Sequence, residues 1–180
     1  VRSAAGDVGT WTDRFTRNDG VEIGCDLKTV HFKRYYKAPA SALRDVEGVA
    51  NARRLADTAW AGGALPIVAV SFDPDGAVAN ALAGSPAILV APAPPEAGPV
   101  GQICRGIDVA RAEIDGTDAA LVWPARMGWV DAETVTSLIE VHGADRAPVL
   151  RPAFRGDAGW PALVPIAHLE TLRGLDRALM

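Results

Sequence analysis

Apolar and polar residues fall in blocks along most of this chain, and the blocks switch period. From Gly48 to Trp60 the apolar positions Val49, Ala52, Leu55, Ala56 and Ala59 recur at helical spacing, and Gly62-Gly63 stops the run. Pro66 to Ser71 is a short, β-branched apolar run, the mark of a buried strand. Asp73-Pro74-Asp75-Gly76 opens a second helix reaching about Gly84, with the aspartate at a natural N-cap and proline at the first helical position. The pattern then predicts a strand at Ile88 to Ala91, a helix over 98–114 and a strand at Ala119 to Trp123. A helix from Asp131 to His142, which Gly143 can stop, and a strand from Val149 to Phe154 follow.

Strands alternating with helices predict the α/β class with a mostly parallel sheet. Such sheets bind ligands beyond the carboxyl ends of their strands. Here those ends are Ser71-Phe72-Asp73, Ala91-Pro92, Pro124-Ala125-Arg126 and Pro152 to Gly156. The first 47 residues follow a different pattern: Val21, Ile23, Leu27, Val30, Phe32 and Tyr35 suggest two short strands or an excursion.

The chain has 180 residues, which fits one domain spanning 1–180 and is long enough to bury a sizeable core. Hydrophobic residues make up 49% and mean hydropathy is +0.11, too apolar for intrinsic disorder. A net charge of −4 argues against a dominant electrostatic grip on nucleic acid or on an anionic membrane surface. No apolar run approaches the length of a transmembrane helix. Cys25 and Cys104 lie far apart in a chain without a signal-peptide pattern, so the expectation is a reducing, cytoplasmic setting with no disulfide framework.

Charge is distributed unevenly. Lys28, Lys33 and Lys37 are the only lysines, and the first 37 residues carry seven basic and five acidic side chains, so the remainder relies on arginine and is acidic. Any chemistry that needs a lysine must draw on that first segment.

Several groups invite a chemical reading. The small residues of Ala4-Ala5-Gly6-Asp7-Val8-Gly9-Thr10 would let backbone amides approach a phosphate, although two glycines in a turn also make an ordinary turn. Asp73 and Asp75 sit where a magnesium ion would find carboxylate oxygens, but helix capping accounts for both. His31, His142 and His168 have no partner at metal-ligand spacing. There is no Gly-x-Ser-x-Gly elbow and no Cys/His nucleophile pair. Of the five tryptophans, Trp129 and Trp160 lie beside strand ends and are candidates for substrate contact.

Residues 119–131, Ala-Ala-Leu-Val-Trp-Pro-Ala-Arg-Met-Gly-Trp-Val-Asp, resemble the central signature of the molybdenum-cofactor nucleotidyltransferase-like (MobA-like) family, an apolar strand running into Pro-x-Asp-Met-Pro and a helix-opening acidic residue. Arg151-Pro152-Ala153-Phe154-Arg155-Gly156 followed by Gly159-Trp160-Pro161 resembles that family's Arg-Pro-x-Tyr-x-Gly and Gly-His-Pro. Gly98 to Ile107 is similar to its Gly-x-x-x-Ser-Leu-x-x-Gly-Leu helix start, and Ser3-Ala4-Ala5-Gly6 to a worn copy of its opening Leu-Ala-Ala-Gly loop.

The resemblance implies a Rossmann-like three-layer sandwich. It also implies transfer of a nucleotidyl group from a nucleoside triphosphate to a phosphorylated small molecule or pterin cofactor, with magnesium. By the same resemblance Ala4, Ala5, Gly6, Gly98, Gln102 and Lys37 are the expected nucleotide contacts, and Trp129 and Trp160 the expected substrate contacts. Asp176 matches the terminal metal aspartate only with a one-residue slip.

The sequence departs from the pattern where the chemistry lies. Arg126 takes the place of the metal aspartate, Gly128 that of the following proline, Gln102 that of the serine and Trp160 that of the histidine. No arginine or lysine follows Gly6 at the family's positions, and Lys37 lies about four residues too early. Within roughly 4 Å of a divalent cation, one positive charge costs about 8 kcal/mol at an effective dielectric of about 20.

Three readings follow. The chain is a degenerate member that binds without metal-dependent transfer, or a divergent enzyme in which Arg126 clamps phosphate directly, its guanidinium suiting that role. Alternatively it is an interaction subunit with Trp129 and Trp160 in the interface. A nucleotide or phosphorylated small molecule is the expected partner, and self-association stays open.

Overall fold

A computed structural model describes residues 10–16, 22–28 and 41–175. Strands β1 (Thr10–Thr16) and β2 (Glu22–Lys28) pair antiparallel as a hairpin, Thr10 opposite Lys28. Of the segment at residues 21–36 expected to hold two short strands or an excursion, 22–28 is described and is one strand, whose partner lies earlier in the chain; residues 29–36 lie outside the described residues.

From residue 41 onwards helices and strands alternate. β3 (Asp45–Val46) and β4 (Val49–Ala50) form a small hairpin. Glu47 and Gly48 both have positive φ, 56° and 83°, as the tight turn between such strands demands. That turn delays the first helix, α1, to Asn51–Ala61, three residues later than the hydrophobic spacing predicts. Gly62 and Gly63 end it, their amides donating to Thr58 O and Trp60 O.

β5 (Ile67–Val70) pairs in parallel with β6 (Ala87–Val90), joined through α2 (Ala77–Leu82). The second helix begins later than predicted because Pro74 to Gly76 form a turn, Gly76 at φ 69°. Asp73 still caps it from outside: one carboxylate oxygen accepts from Val78 N at 2.9 Å and the other from Ala79 N at 2.8 Å.

After a 3-10 turn at Pro95–Ala97 come α3 (Gly98–Glu113), β7 (Ala119–Val122) and α4 (Ala132–Ala144). α4 runs through Gly143, and Asp145 N closes it on Val141 O.

The strand expected from Val149 to Phe154 is broken. Leu150 bridges Leu163, Pro152 has no amide hydrogen for a ladder, and the chain restarts as a hairpin of β8 (Ala153–Phe154) and β9 (Asp157–Ala158). β10 (Ala162–Pro165) then pairs antiparallel with β7, and α5 (Leu169–Arg173) follows.

Two apolar clusters hold these elements. Ala56, Val78 and Leu82 cover one face of β5 and β6 through Ile67, Ala69, Ala87 and Leu89. Val100, Cys104, Ile107, Val164, Leu169 and Leu172 form the other, with Ala120 and Val122 of β7 packed on it. The result is a mixed helix–strand fold built on two-stranded sheets, compatible with the α/β class. No helix among the described residues is long and apolar enough to cross a membrane.

α1 and α4 meet where Gly62 faces Val135, which has no exposed surface. A Cβ on Gly62 would lie 2.5 Å from Val135 Cβ and 2.9 Å from Ala132 O. Gly62→Ala is therefore expected to lower stability by about 1–3 kcal/mol. Chemical denaturation checks this, and an unchanged midpoint would show that the seam yields freely.

Candidate functional site

The end of β7 is shaped by one indole. Trp123 Nε1 donates to Met127 O at 2.9 Å, and Met127 N donates to Pro124 O at 2.9 Å. These two bonds fold Pro124 to Met127 into a closed turn and place Arg126 within it. Arg126 is half-buried, its Nη2 is shielded from solvent, and the side chain is engaged within the protein.

The next residue shows why the signature departs from its pattern a second time. Gly128 is buried against Asn51, the first residue of α1, and a Cβ there would lie 2.5 Å from Asn51 Oδ1. Asn51 is 3% exposed, its Nδ2 donates to Ser41 O at 3.1 Å, and its amide nitrogen donates to Arg44 O. With α1 anchored this way, position 128 has room for hydrogen alone. Sequence reasoning missed Asn51; its only signal was a polar residue at the start of an otherwise apolar helical face.

Trp129 turns outward, 73% exposed, with the Arg54 guanidinium 5.5 Å from the ring centroid and Glu47 3.1 Å from Arg54. Trp160 goes the other way. It is 9% exposed, and Arg151 lies 5.0 Å from its ring centroid while donating to Gly159 O at 2.9 Å. The two tryptophans expected to contact substrate are thus one surface ring and one core ring.

At the start of α3, Gly98 has φ 63° and ψ −165°, a conformation that favours glycine. No side chain caps this helix, and its first turn holds no acidic residue. Gln102 is committed to the loop after β6: its Oε1 accepts from Ala93 N at 2.8 Å and its Nε2 donates to Ala93 O at 3.0 Å.

Two of the described carboxylates near the strand ends, Asp73 and Asp131, are committed too. Asp73 holds the α2 amides, and Asp131 Oδ1 accepts from both Thr134 N and Thr134 Oγ1 at 2.8 Å. Among the described residues no group of three or more His, Cys, Asp or Glu is placed to hold a metal ion. The donor set on this part of the chain therefore does not fit a resident magnesium. Ala4, Ala5, Gly6, Lys37 and Asp176 lie outside the described residues.

Cys104, His142 and His168 sit within the scaffold. Burial pushes the Cys104 thiol above its ordinary range, which disfavours the thiolate. His168 Nε2 meets Ala147 O at 2.7 Å, and His142 is buried with Nε2 3.8 Å from Asp118.

Two predictions follow from the loop. Gly128→Ala should destabilise the protein, and Asn51→Ala, which removes the obstructing amide, should relieve about 1 kcal/mol of that cost in the double variant. A double-mutant cycle by chemical denaturation measures it, and simple additivity would overturn the interlock.

The bonds from the Thr134 amide and hydroxyl hold the Asp131 carboxyl below the usual aspartate range. A folded value below the unfolded one means the cap's contribution is present above the ordinary aspartate range and lost as pH falls through the lowered value. Asp131→Asn, which does not titrate, should flatten the acid limb of a stability–pH profile; an unchanged limb would refute the assignment.

Comparison with known families matches residues 38–179 to the MobA-like NTP transferase domain. The match opens just after Lys37 and so leaves the small-residue stretch at Ala4 to Thr10 outside it. No curated protein matches the chain. A match running from residue 38 nearly to the end covers well over half of the sequence, and the chain belongs to the MobA-like NTP transferase domain family.

Proposed function

We propose that this chain is a nucleotidyltransferase-type domain that grips the phosphate of a nucleotide or phosphorylated small molecule through Arg126, in place of a carboxylate-held magnesium. The supporting observation is the turn at Pro124 to Met127, held shut by the Trp123 indole, which fixes Arg126 at the carboxyl end of β7. That is the end of an α/β sheet at which ligands bind.

Chemistry sets the limit of the reading. Nucleotidyl transfer places an acceptor oxygen on the α-phosphorus and expels pyrophosphate, whose several negative charges need neutralising as they leave. One guanidinium offers two parallel hydrogen bonds to a phosphate but only a single charge. Binding is therefore well served and turnover poorly served, which favours a degenerate, metal-independent member. At the start of α3, Gly98 N donates to Pro95 O and Pro99 has no amide hydrogen, so this helix start offers few amides to phosphate oxygens. In this reading the two-stranded sheets are parts of one Rossmann-like, mostly parallel sheet in a cytoplasmic protein.

A second reading rests on surface chemistry. Trp129 and Phe154 are 73% and 74% exposed, each with an arginine over its ring, Arg54 and Arg155 respectively. Aromatic and arginine side chains together are the usual anchors of protein interfaces, as expected of an interaction subunit.

Isothermal titration with CTP, GTP and ATP, each with and without magnesium, separates these. The expected outcome is binding indifferent to magnesium and weakened about tenfold or more by Arg126→Ala. Binding that requires magnesium would overturn the arginine grip, and silence with all three nucleotides would favour the interaction subunit.

A further inference from the structure

Aspartate is followed by glycine at two places among the described residues, Asp75-Gly76 and Asp115-Gly116; a further such pair, Asp19-Gly20, lies outside them. The pairing matters chemically because glycine has no side chain to keep the preceding carboxyl group away from its amide nitrogen. The two described pairs are held very differently.

Asp75-Gly76 leads into α2. Gly76 is half-buried at the N-cap position, its amide nitrogen donates to Asp73 O at 3.4 Å, and its carbonyl accepts from Asn80 N at 2.9 Å. The Asp73 carboxylate also holds Val78 N and Ala79 N, so this peptide turns only if the start of the helix comes apart.

Asp115-Gly116 lies between α3 and β7. Both residues are exposed, and neither amide nitrogen donates to another group among the described residues. Gly116 has φ 81°, and a Cβ built on it would meet nothing within 4 Å, so the space beside its backbone is open. The turn is fastened at its rim, where Thr117 N reaches Ile114 O at 3.4 Å and Thr117 Oγ1 donates to the same oxygen at 2.8 Å. The central peptide of such a turn rotates without opening the helix or the strand beside it.

We propose that Asp115 is a site of covalent modification, at which the side chain closes on the Gly116 nitrogen and the residue isomerises to β-linked aspartate. The nitrogen attacks Cγ of the protonated carboxyl group. A C–N bond forms, the C–OH bond breaks, and the hydroxyl leaves with the nitrogen's proton as water, giving a succinimide. Water then adds to the main-chain carbonyl carbon of Asp115, and the bond from that carbon to the Gly116 nitrogen breaks. The chain now runs through Cβ and Cγ, the former carbonyl carbon is a free carboxylate, and the water lost has been regained without any other reactant. One methylene has entered the backbone between Ile114 and Thr117, so the spacing on which both Thr117 bonds depend is lost. Ile114 N also closes α3 on Ala110 O, so the modification loosens the last turn of that helix. None of this depends on the nucleotide reading.

The test uses the folded full chain, aged in mildly acidic buffer at physiological temperature. Electron-transfer mass spectrometry of its peptides separates β-linked from α-linked aspartate at equal mass. The expected result is accumulation at 115 about fivefold or more faster than at 75, a ratio equivalent to the ~1 kcal/mol of one backbone hydrogen bond, with the two rates converging in urea. Equal rates in the folded protein, or a ratio that urea leaves unchanged, would overturn the proposal. Asp115→Glu, whose longer side chain closes such a ring far less readily, should keep more of its chemical-denaturation midpoint on ageing than the natural chain. Equal losses of midpoint in both would overturn the consequence for α3.

Discussion

Backbone hydrogen bonding is the constraint on which the rest of this molecule depends. β5 and β7 are each four residues long and, among the described residues, each is paired along a single edge. Among the described residues, the chemistry at their carboxyl ends is displayed on two two-stranded sheets, each backed by its own side-chain cluster. One cluster belongs to each half: Ala56, Val78 and Leu82 for β5 and β6, and the α3–α5 group for β7 and β10. α3 links them, because it packs on β5 while its buried face belongs to the second cluster. Its far end is tied down by Arg173, which joins Asp108 of α3 to Glu170 of α5.

Around that frame two carboxylates beside strand ends have been drawn into helix capping. Asp73 serves two amides at the start of α2 and Asp131 serves Thr134 at the start of α4. A carboxylate already accepting main-chain hydrogen bonds has fewer lone pairs and less reason to collect a hard cation. The cationic side chains are spread over several roles. Arg54 and Arg151 cover tryptophan rings, and Arg126 occupies the closed turn after β7. The electrostatics of this face are thus organised by guanidinium groups, as the absence of lysine after Lys37 requires.

Much of the scaffold was legible in the sequence because the signals were local. The apolar runs at Ile67–Val70, Ala87–Val90 and Ala119–Val122 are strands, and the helical spacing before Gly62-Gly63 is a helix that ends there. The errors also have local causes. Glu47-Gly48 makes a hairpin turn where helical spacing suggests a first turn, and Pro152 interrupts a run that otherwise looks continuous. β10 went unpredicted because its apolar run is short and bracketed by Pro161 and Pro165, residues that usually argue against a strand. The site was less legible than the scaffold. Motif order located Arg126 and Gly128, but the partner of Gly128 is Asn51, on an element far earlier in the chain, and no spacing rule connects them. The same spacing placed Trp129 and Trp160 alike beside strand ends, whereas only the packing around each ring decides which one faces solvent.

The Asn51–Gly128 contact has a consequence for any attempt at repair. Restoring the family's Asp-Met-Pro by substitution at 126 and 128 would drive a proline ring into a buried amide that also secures Ser41 to α1. The order of changes is therefore constrained: the amide at 51 must go first, and its removal loosens the entry to α1 before anything is gained at the loop. Two positions far apart in the sequence, 51 and 128, thus form a ratchet in which a change at one is held back by packing at the other.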